Sequence, residues 1–338
     1  MSNPVLVEVT RGGHAESRHQ GAVAVVDAQG KSVFAIGDIE RPVFPRSAIK
    51  IIQALPLVES GAADAFGFGD AELALACSSH NAEARQVETA RAMLAAAGLA
   101  EEALACGPQP PRREEDLARM HRAGGVPGRL HNNCSGKHAG MLAFARHAGI
   151  TAAGYEQRSH EVQRAVEAAI EDVTGARLAD VPCGIDGCSL ATCAVPLHKL
   201  AHGFARIGVQ QGFSKDRAEA LRRLMAACFA DPFMVAGSGR FCTQVMQSLP
   251  GRAFVKTGAE GVFCAAFPER GLGVALKIDD GATRASELVM AQIIAALVAD
   301  GTAPLDAQLH PTVTNWAGMQ AGTVQASATL VEKLAALT

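Results

Sequence analysis

Two short motifs carry groups that can do chemistry together: Ser47-Ala48-Ile49-Lys50, and far along the chain Lys256-Thr257-Gly258. A serine hydroxyl is a weak nucleophile until an adjacent base takes its proton. On a helix, residues three apart share a face, so Lys50 can reach the Ser47 hydroxyl. To serve as that base, Lys50 needs its pKa lowered by roughly 3 units, about 4 kcal/mol of differential interaction. Burial and a nearby ammonium both push that way, and Lys256 is the candidate neighbour. Each motif alone also reads as a surface helix or an ordinary strand-end lysine; together they favour a serine nucleophile activated by lysine.

Other polar clusters bear on the same chemistry. Cys77-Ser78-Ser79-His80-Asn81 ends an apolar run and places a second hydroxyl, Ser79, where it could relay a proton, although a turn with a helix cap fits equally well. His131-Asn132-Asn133-Cys134-Ser135-Gly136-Lys137-His138 leads into a helix, whose start welcomes anions. In Pro182-Cys183-Gly184-Ile185-Asp186-Gly187-Cys188, Asp186 suits an Asx turn or a substrate ammonium. Cys134 and Cys188 are too far apart in the chain for spacing to reveal a metal site. Gly237-Ser238-Gly239-Arg240 lacks the Lys-Ser/Thr ending of a phosphate loop and reads as a tight turn rather than a nucleotide site.

The elements that must position these groups follow from periodicity. Val5 to Thr10, Gly21 to Asp27 and Ser32 to Ile36 read as strands, with a hairpin turn at Ala28-Gln29-Gly30. A helix is expected to carry Ser47 and Lys50, with Ile51, Ile52, Leu55 and Val58 on its apolar side and Pro56 shortening it. An alanine-rich helix is expected over 83–97, then a Pro/Gly-rich surface excursion over 102–130. Helical spacing follows at 137–148, 155–174, 197–208 and 214–229. Strands return at Ala253 to Thr257, Gly261 to Phe267 and Leu272 to Ile278, and a last strong helix covers about 282–299. The fold class expected is α+β: an antiparallel sheet built from both chain ends, with a helical lobe from the middle.

The chain has 338 residues, 49% hydrophobic and 19% charged, so a large core is expected and disorder is not. A net charge of −3 and a pI near 6.4 argue against nucleic acid or an anionic membrane as partner. Met1-Ser2-Asn3-Pro4 runs straight into a strand, and no stretch is long and apolar enough for a membrane span, so a cytoplasmic protein is expected. Nine cysteines form no small-domain disulfide framework. Cys77, Cys106, Cys193, Cys228, Cys242 and Cys264 are expected as buried free thiols.

Taken in order, the motifs resemble the L-asparaginase II family, the rhizobial-type asparaginases with a serine β-lactamase-like fold. The resemblance rests on Pro45-Arg46-Ser47-Ala48-Ile49-Lys50, Cys77 to Asn81, Asn132 to His138, Cys183 to Cys188, Gly237 to Arg240 and Lys256-Thr257-Gly258, and it spans nearly the whole chain. It implies one β-lactamase-like catalytic domain over 1–338, with a sheet region of about 1–45 plus 240–338 and a helical region of about 46–239. It implies two Ser–Lys pairs, Ser47 with Lys50 and Ser79 with Lys256. It also implies a zinc ion held by Cys134, Lys137 and Cys188, with Asp186 nearby. The implied reaction is hydrolysis of the L-asparagine side-chain amide. Asp186 would grip the substrate α-ammonium, and Arg46 or His138 its carboxylate.

Two rivals remain from sequence. One is another hydrolase of the same fold group: a glutaminase, a β-lactamase or a penicillin-binding enzyme. Against the cell-wall enzymes stand the missing Ser-Asp-Asn motif and the lack of an export signal. One extra methylene separates glutamine from asparagine, worth only about 1–3 kcal/mol of discrimination. The other rival is a non-catalytic small-molecule sensor, disfavoured by retention of both serines and both lysines. A homodimer is expected on general grounds.

Overall fold

Strands from both ends of the chain meet in one antiparallel sheet. The computed structural model describes residues 2–298, 300, 302 and 305–337. The sheet has eight strands, in the order Thr312–Thr314, Gln320–Ala326, Val5–Arg11, His14–Asp27, Leu272–Ile278, Val262–Phe267, Phe254–Thr257, with Ser32–Ile36 also paired to His14–Asp27. The strand His14–Asp27 is the joint. Its polar first half pairs with Val5–Arg11, and its apolar second half lies between Ser32–Ile36 and Leu272–Ile278. The sequence expectation began this strand only at Gly21, because His14 to Gln20 carries no apolar alternation; backbone pairing, not burial, makes that half a strand.

Two compact units divide the chain. The sheet unit comprises 1–48, 195–209 and 244–338, and the helical unit 49–194 and 210–243. In the sheet unit, Val23 to Val26 point alternately to opposite faces and are all at most 1% exposed, so both faces are covered. The helix Leu197–Val209, which sequence placed in the helical region, belongs to this unit. Gly273 explains how it docks. A Cβ there would stand 2.0 Å from Ala201 O and 2.2 Å from Ala205 N, so only glycine lets the helix backbone rest on the strand. The helix expected over 282–299 is Thr283–Leu297; residue 299 lies outside the described residues. It is not the last element, because the strands Thr312–Thr314 and Gln320–Ala326 and the helix Ala328–Leu334 follow.

In the helical unit the expected helices appear as Ala84–Ala96, Ser135–His147, Glu161–Thr174 and Lys215–Ala230. The third starts six residues later than expected, where the His160 side chain accepts a hydrogen bond from Val162 N–H and caps it. The excursion over 102–130 is not all loop. It holds the helix Glu114–Arg122, with three acids in its first turn and Arg119, His121 and Arg122 in its last, a charge order matched to the helix dipole. That helix buries no residue, so hydrophobic periodicity could not announce it. Among the described residues no helix is long and apolar enough to cross a membrane.

Candidate active site

The segment carrying Ser47 is a 3-10 turn, Arg46–Ile49, followed by two short helices, Lys50–Gln53 and Leu55–Glu59, instead of the single helix expected. Two local causes break it up. Arg46 sits at φ +50°, outside helical space, and Pro56, at the start of its helix, cannot donate an amide to the preceding turn. Non-glycine residues at positive φ mark strained, often functional backbone. Among the described residues there are five, and three adjoin the predicted clusters: Arg46 beside Ser47, Ala82 after Asn81, and Ser189 after Cys188.

In the sheet unit, Lys256-Thr257-Gly258 runs against the Ser47 turn. A Cβ on Gly258 would lie 2.7 Å from Pro45 O and 3.3 Å from Ala48 N. Lys256 is 1% exposed, and its Nζ donates to Thr257 O at 3.0 Å. Ser47 itself is half-buried. The two motifs that opened the reading are therefore neighbours through backbone packing.

In the helical unit, Lys50 is fully enclosed. Its Nζ donates to the Ser78 carbonyl, to Ser79 Oγ at 3.0 Å and to Cys134 Sγ at 3.1 Å, with Asn133 O at 3.5 Å. Lys50 therefore contacts the Ser79 hydroxyl. Lys137 is 3% exposed and donates from Nζ to Cys188 Sγ at 3.1 Å. Two glycines bring these groups together. Gly136 and Gly140 let the helix Ser135–His147 press on Leu75, Ala76 and Leu57, setting Cys134 and Lys137 beside the Ser78–Ser79 segment.

Charge is shared unequally in this cluster. Burial and the neighbouring Lys137 ammonium lower the pKa of Lys50 against the pull of Cys134, the direction a lysine base needs. Cys134 lies well below the usual thiol range, first because Cys188 donates to its sulfur and then because Lys50 and Lys137 are near, which outweighs burial. Cys188 is raised, by that same donated proton and by burial. Burial works against the Lys137 ammonium, yet Cys134, Cys188 and Asp186 raise its pKa and keep it charged. The arrangement is a thiolate at Cys134 between two amines.

His138 is fully buried and hydrogen-bonded through Nδ1 to Tyr155 OH at 2.5 Å. Tyr155 OH accepts from Ala105 N–H and has its own proton to give to His138 Nδ1, and Nε2 has no hydrogen-bond partner among the described residues. Burial and the two lysines hold this imidazole neutral. His80 is a structural residue. Its Nδ1 accepts from Ala82 N–H at 3.0 Å, its Nε2 bonds Ser135 Oγ at 2.9 Å, and Ser135 passes a proton to Leu130 O.

Burial, with Lys50, lowers His80 to about 3 from 6.5. Between those values the unfolded chain binds a proton that the folded protein refuses, so stability falls as pH drops through that window. We expect a loss on the order of 2–4 kcal/mol between pH 7 and pH 4 from such histidines. Urea unfolding of wild type and His80→Gln at both pH values measures it, and the variant should show the shallower dependence.

The hairpin carrying Asp186 and Cys188 pairs Cys183–Ile185 with Ala191–Cys193, and a disulfide joins Cys183 to Cys193. This corrects the expectation of a free thiol at Cys193, since ladder pairing places the two sulfurs opposite each other although ten residues separate them. The other five expected thiols are buried and outside any disulfide. Closing a loop of this length stabilises by about 2–3 kcal/mol. Cys183→Ser should therefore lower the thermal midpoint, and peptide mapping without reductant should find the 183–193 link in the wild type. Asp186 is half-buried at the hairpin tip, where its carboxylate accepts from Gly187 N–H.

Among the described residues no three His, Cys, Asp or Glu side chains converge as a metal site. Cys134, Cys188 and Lys137 still form a chemically suitable donor set: two sulfurs and a nitrogen, with one sulfur already favoured as thiolate. Lys137 would have to lose its proton to ligate.

Comparison with solved structures returns distant likenesses. The chain is similar to a beta-lactamase from Mycobacterium bovis at 12% identity and TM-score 0.37, over 79% of this chain and 89% of that one. It is also similar to Mglu in its native form, at 13% identity and TM-score 0.36, over 84% and 66%. At these scores neither bears on the function. No curated protein matches the chain significantly. The profile of L-asparaginase II matches residues 7–326, a span that takes in both serines, all three lysines and the cysteine-bearing hairpin. The chain belongs to the L-asparaginase II family.

Proposed function

We propose that this amidohydrolase of the asparaginase type hydrolyses the side-chain amide of L-asparagine to L-aspartate and ammonia through an acyl-enzyme on Ser47. The observation that carries the reading is the enclosed contact of Lys50 Nζ with Ser79 Oγ, which puts a lysine of lowered pKa on a hydroxyl. Ser47 attacks the amide carbon and its proton passes to neutral Lys50. Ser79, hydrogen-bonded to Lys50, hands a proton to the departing nitrogen, and ammonia leaves. Water then cleaves the β-aspartyl ester with the same groups in reverse. Lys256 supports the proton transfers, and the Ser47 N–H stabilises the oxyanion. Asp186 meets the substrate ammonium. Arg46 and the neutral Nε2–H of His138 meet its carboxylate.

Zinc would be held by Cys134, Lys137 and Cys188, where it would supply a fixed positive charge that orients substrate. The working form is proposed to be a cytoplasmic homodimer, which light scattering would check. The deciding assay is ammonia release from asparagine and glutamine side by side, with and without a chelator. Release from asparagine, lost in Ser47→Ala, supports the reading. Undiminished release in that variant, or turnover of glutamine alone, overturns it.

A further inference from the structure

The run Gly237-Ser238-Gly239-Arg240 has no part in the reaction as proposed, yet it lies on the segment that carries Ser79. Gly237 is at φ +105°, and a Cβ there would stand 2.5 Å from Asn81 Nδ2 and 2.7 Å from Glu83 Oε1. Ser238 donates to the Glu83 carboxylate twice, from N–H at 2.7 Å and from its hydroxyl at 2.8 Å. Asn81 Nδ2 donates to Glu83 Oε1 and to Ser238 O, each at 3.1 Å, and Arg113 Nη1 closes the carboxylate at 2.8 Å. Both main-chain polar groups of Ser79 end in this stretch. Its N–H donates to Val235 O at 2.9 Å, and its carbonyl accepts from Arg240 Nη1 at 3.4 Å. The same Nη1 donates to Asn81 Oδ1 at 3.1 Å.

We propose that residues 235–240 are a clasp on the Ser79 segment, and that Arg240 is a positioning residue that sets the Ser79 backbone and hence its Oγ on Lys50. The inference rests on the reading in which Ser79 relays a proton. A hydroxyl on a relay must hold its distance to both partners, and a backbone fixed at N–H and C=O leaves only the side-chain torsion free. Gly237 serves close approach to Asn81 and Glu83 rather than a phosphate, and Gly239 supplies a turn at φ +71°.

Arg240→Ala and Arg240→Lys test it, by steady-state kinetics and by deuterium uptake in peptides covering 77–83. Removing the guanidinium should lower kcat about 30-fold with KM changed less than about twofold, and should speed exchange of the Ser79 amide. Lysine should restore most of kcat by reaching one of the two acceptors. Unchanged uptake would overturn the proposal. So would a loss confined to KM, which would make Arg240 a substrate ligand. Should Arg240→Ala misfold, Ser238→Ala is read for the same two quantities. If the wild type releases no ammonia from asparagine, the functional reading falls, and the exchange measurement alone decides the clasp.

Discussion

Replacing Lys50 with methionine should lower ammonia release from asparagine by about 10³-fold while leaving a folded protein, the range expected when a positioned base is removed. Methionine matches the length of the stem and tolerates burial, so the core around Ile51, Ile52 and Leu55 keeps its volume. What is lost is a nitrogen that touches Ser79 Oγ and Cys134 Sγ. The Ser78 carbonyl and Ser79 hydroxyl lose a buried partner, so some stability goes as well, about 1–3 kcal/mol. Coupled ammonia assays with a thermal melt separate the two effects. Activity within tenfold of wild type would remove Lys50 from the reaction. Cys134 gives an independent readout. Without the hydrogen bond from Lys50 Nζ, one cause of its low pKa is gone, and alkylation of its thiol should need higher pH.

The second large effect is on stability. Gly136→Ala should destabilise by about 3 kcal/mol or more, at the upper end of overpacking costs. A Cβ at 136 would stand 2.4 Å from Leu75 O and 2.5 Å from Leu75 Cγ. The first of these is backbone and cannot swing away. Gly140→Ala, one turn on, meets only side chains at 3.2 and 3.3 Å, and alanine gains about 1 kcal/mol of helix propensity, so that variant should be near neutral. Urea unfolding of the pair checks the contrast. Gly136→Ala should also lose activity out of proportion, because the helix it pushes away carries Cys134 and Lys137 at its start.

The site was partly legible beforehand because its chemistry is clustered in the chain. Ser47 and Lys50 are three residues apart, and Cys134, Lys137 and His138 lie within one helical turn. The hairpin segment with Asp186 and Cys188 announced itself by its glycines. The pairing of Lys50 with Ser79 was not legible, because it joins the short helix at 50–53 to a loop near 79 and depends on how deeply each is buried. The role of His138 was open for a similar reason. Only Tyr155, seventeen residues on, fixes which ring nitrogen is taken.

Local pattern also explains where the fold reading succeeded. Ser32–Ile36 and Leu272–Ile278 came out at their expected bounds, the first through alternation of Phe34 and Ile36 with exposed residues and the second as a nearly continuous buried run. The helix Glu114–Arg122 and the first half of His14–Asp27 did not, being held by charge order and backbone pairing with little burial. The Cys183–Cys193 disulfide escaped because ladder register is a tertiary property.

By itself, then, the sequence determined the family, the α+β class and which side chains are candidates for chemistry, since these are written in residue type and short spacing. Only tertiary structure showed that Lys50 contacts Ser79 and Cys134, and that the Ser79 backbone bonds to Val235 and Arg240. Those depend on contacts between segments far apart in the chain and on burial, which moves a pKa without leaving a mark in the spacing.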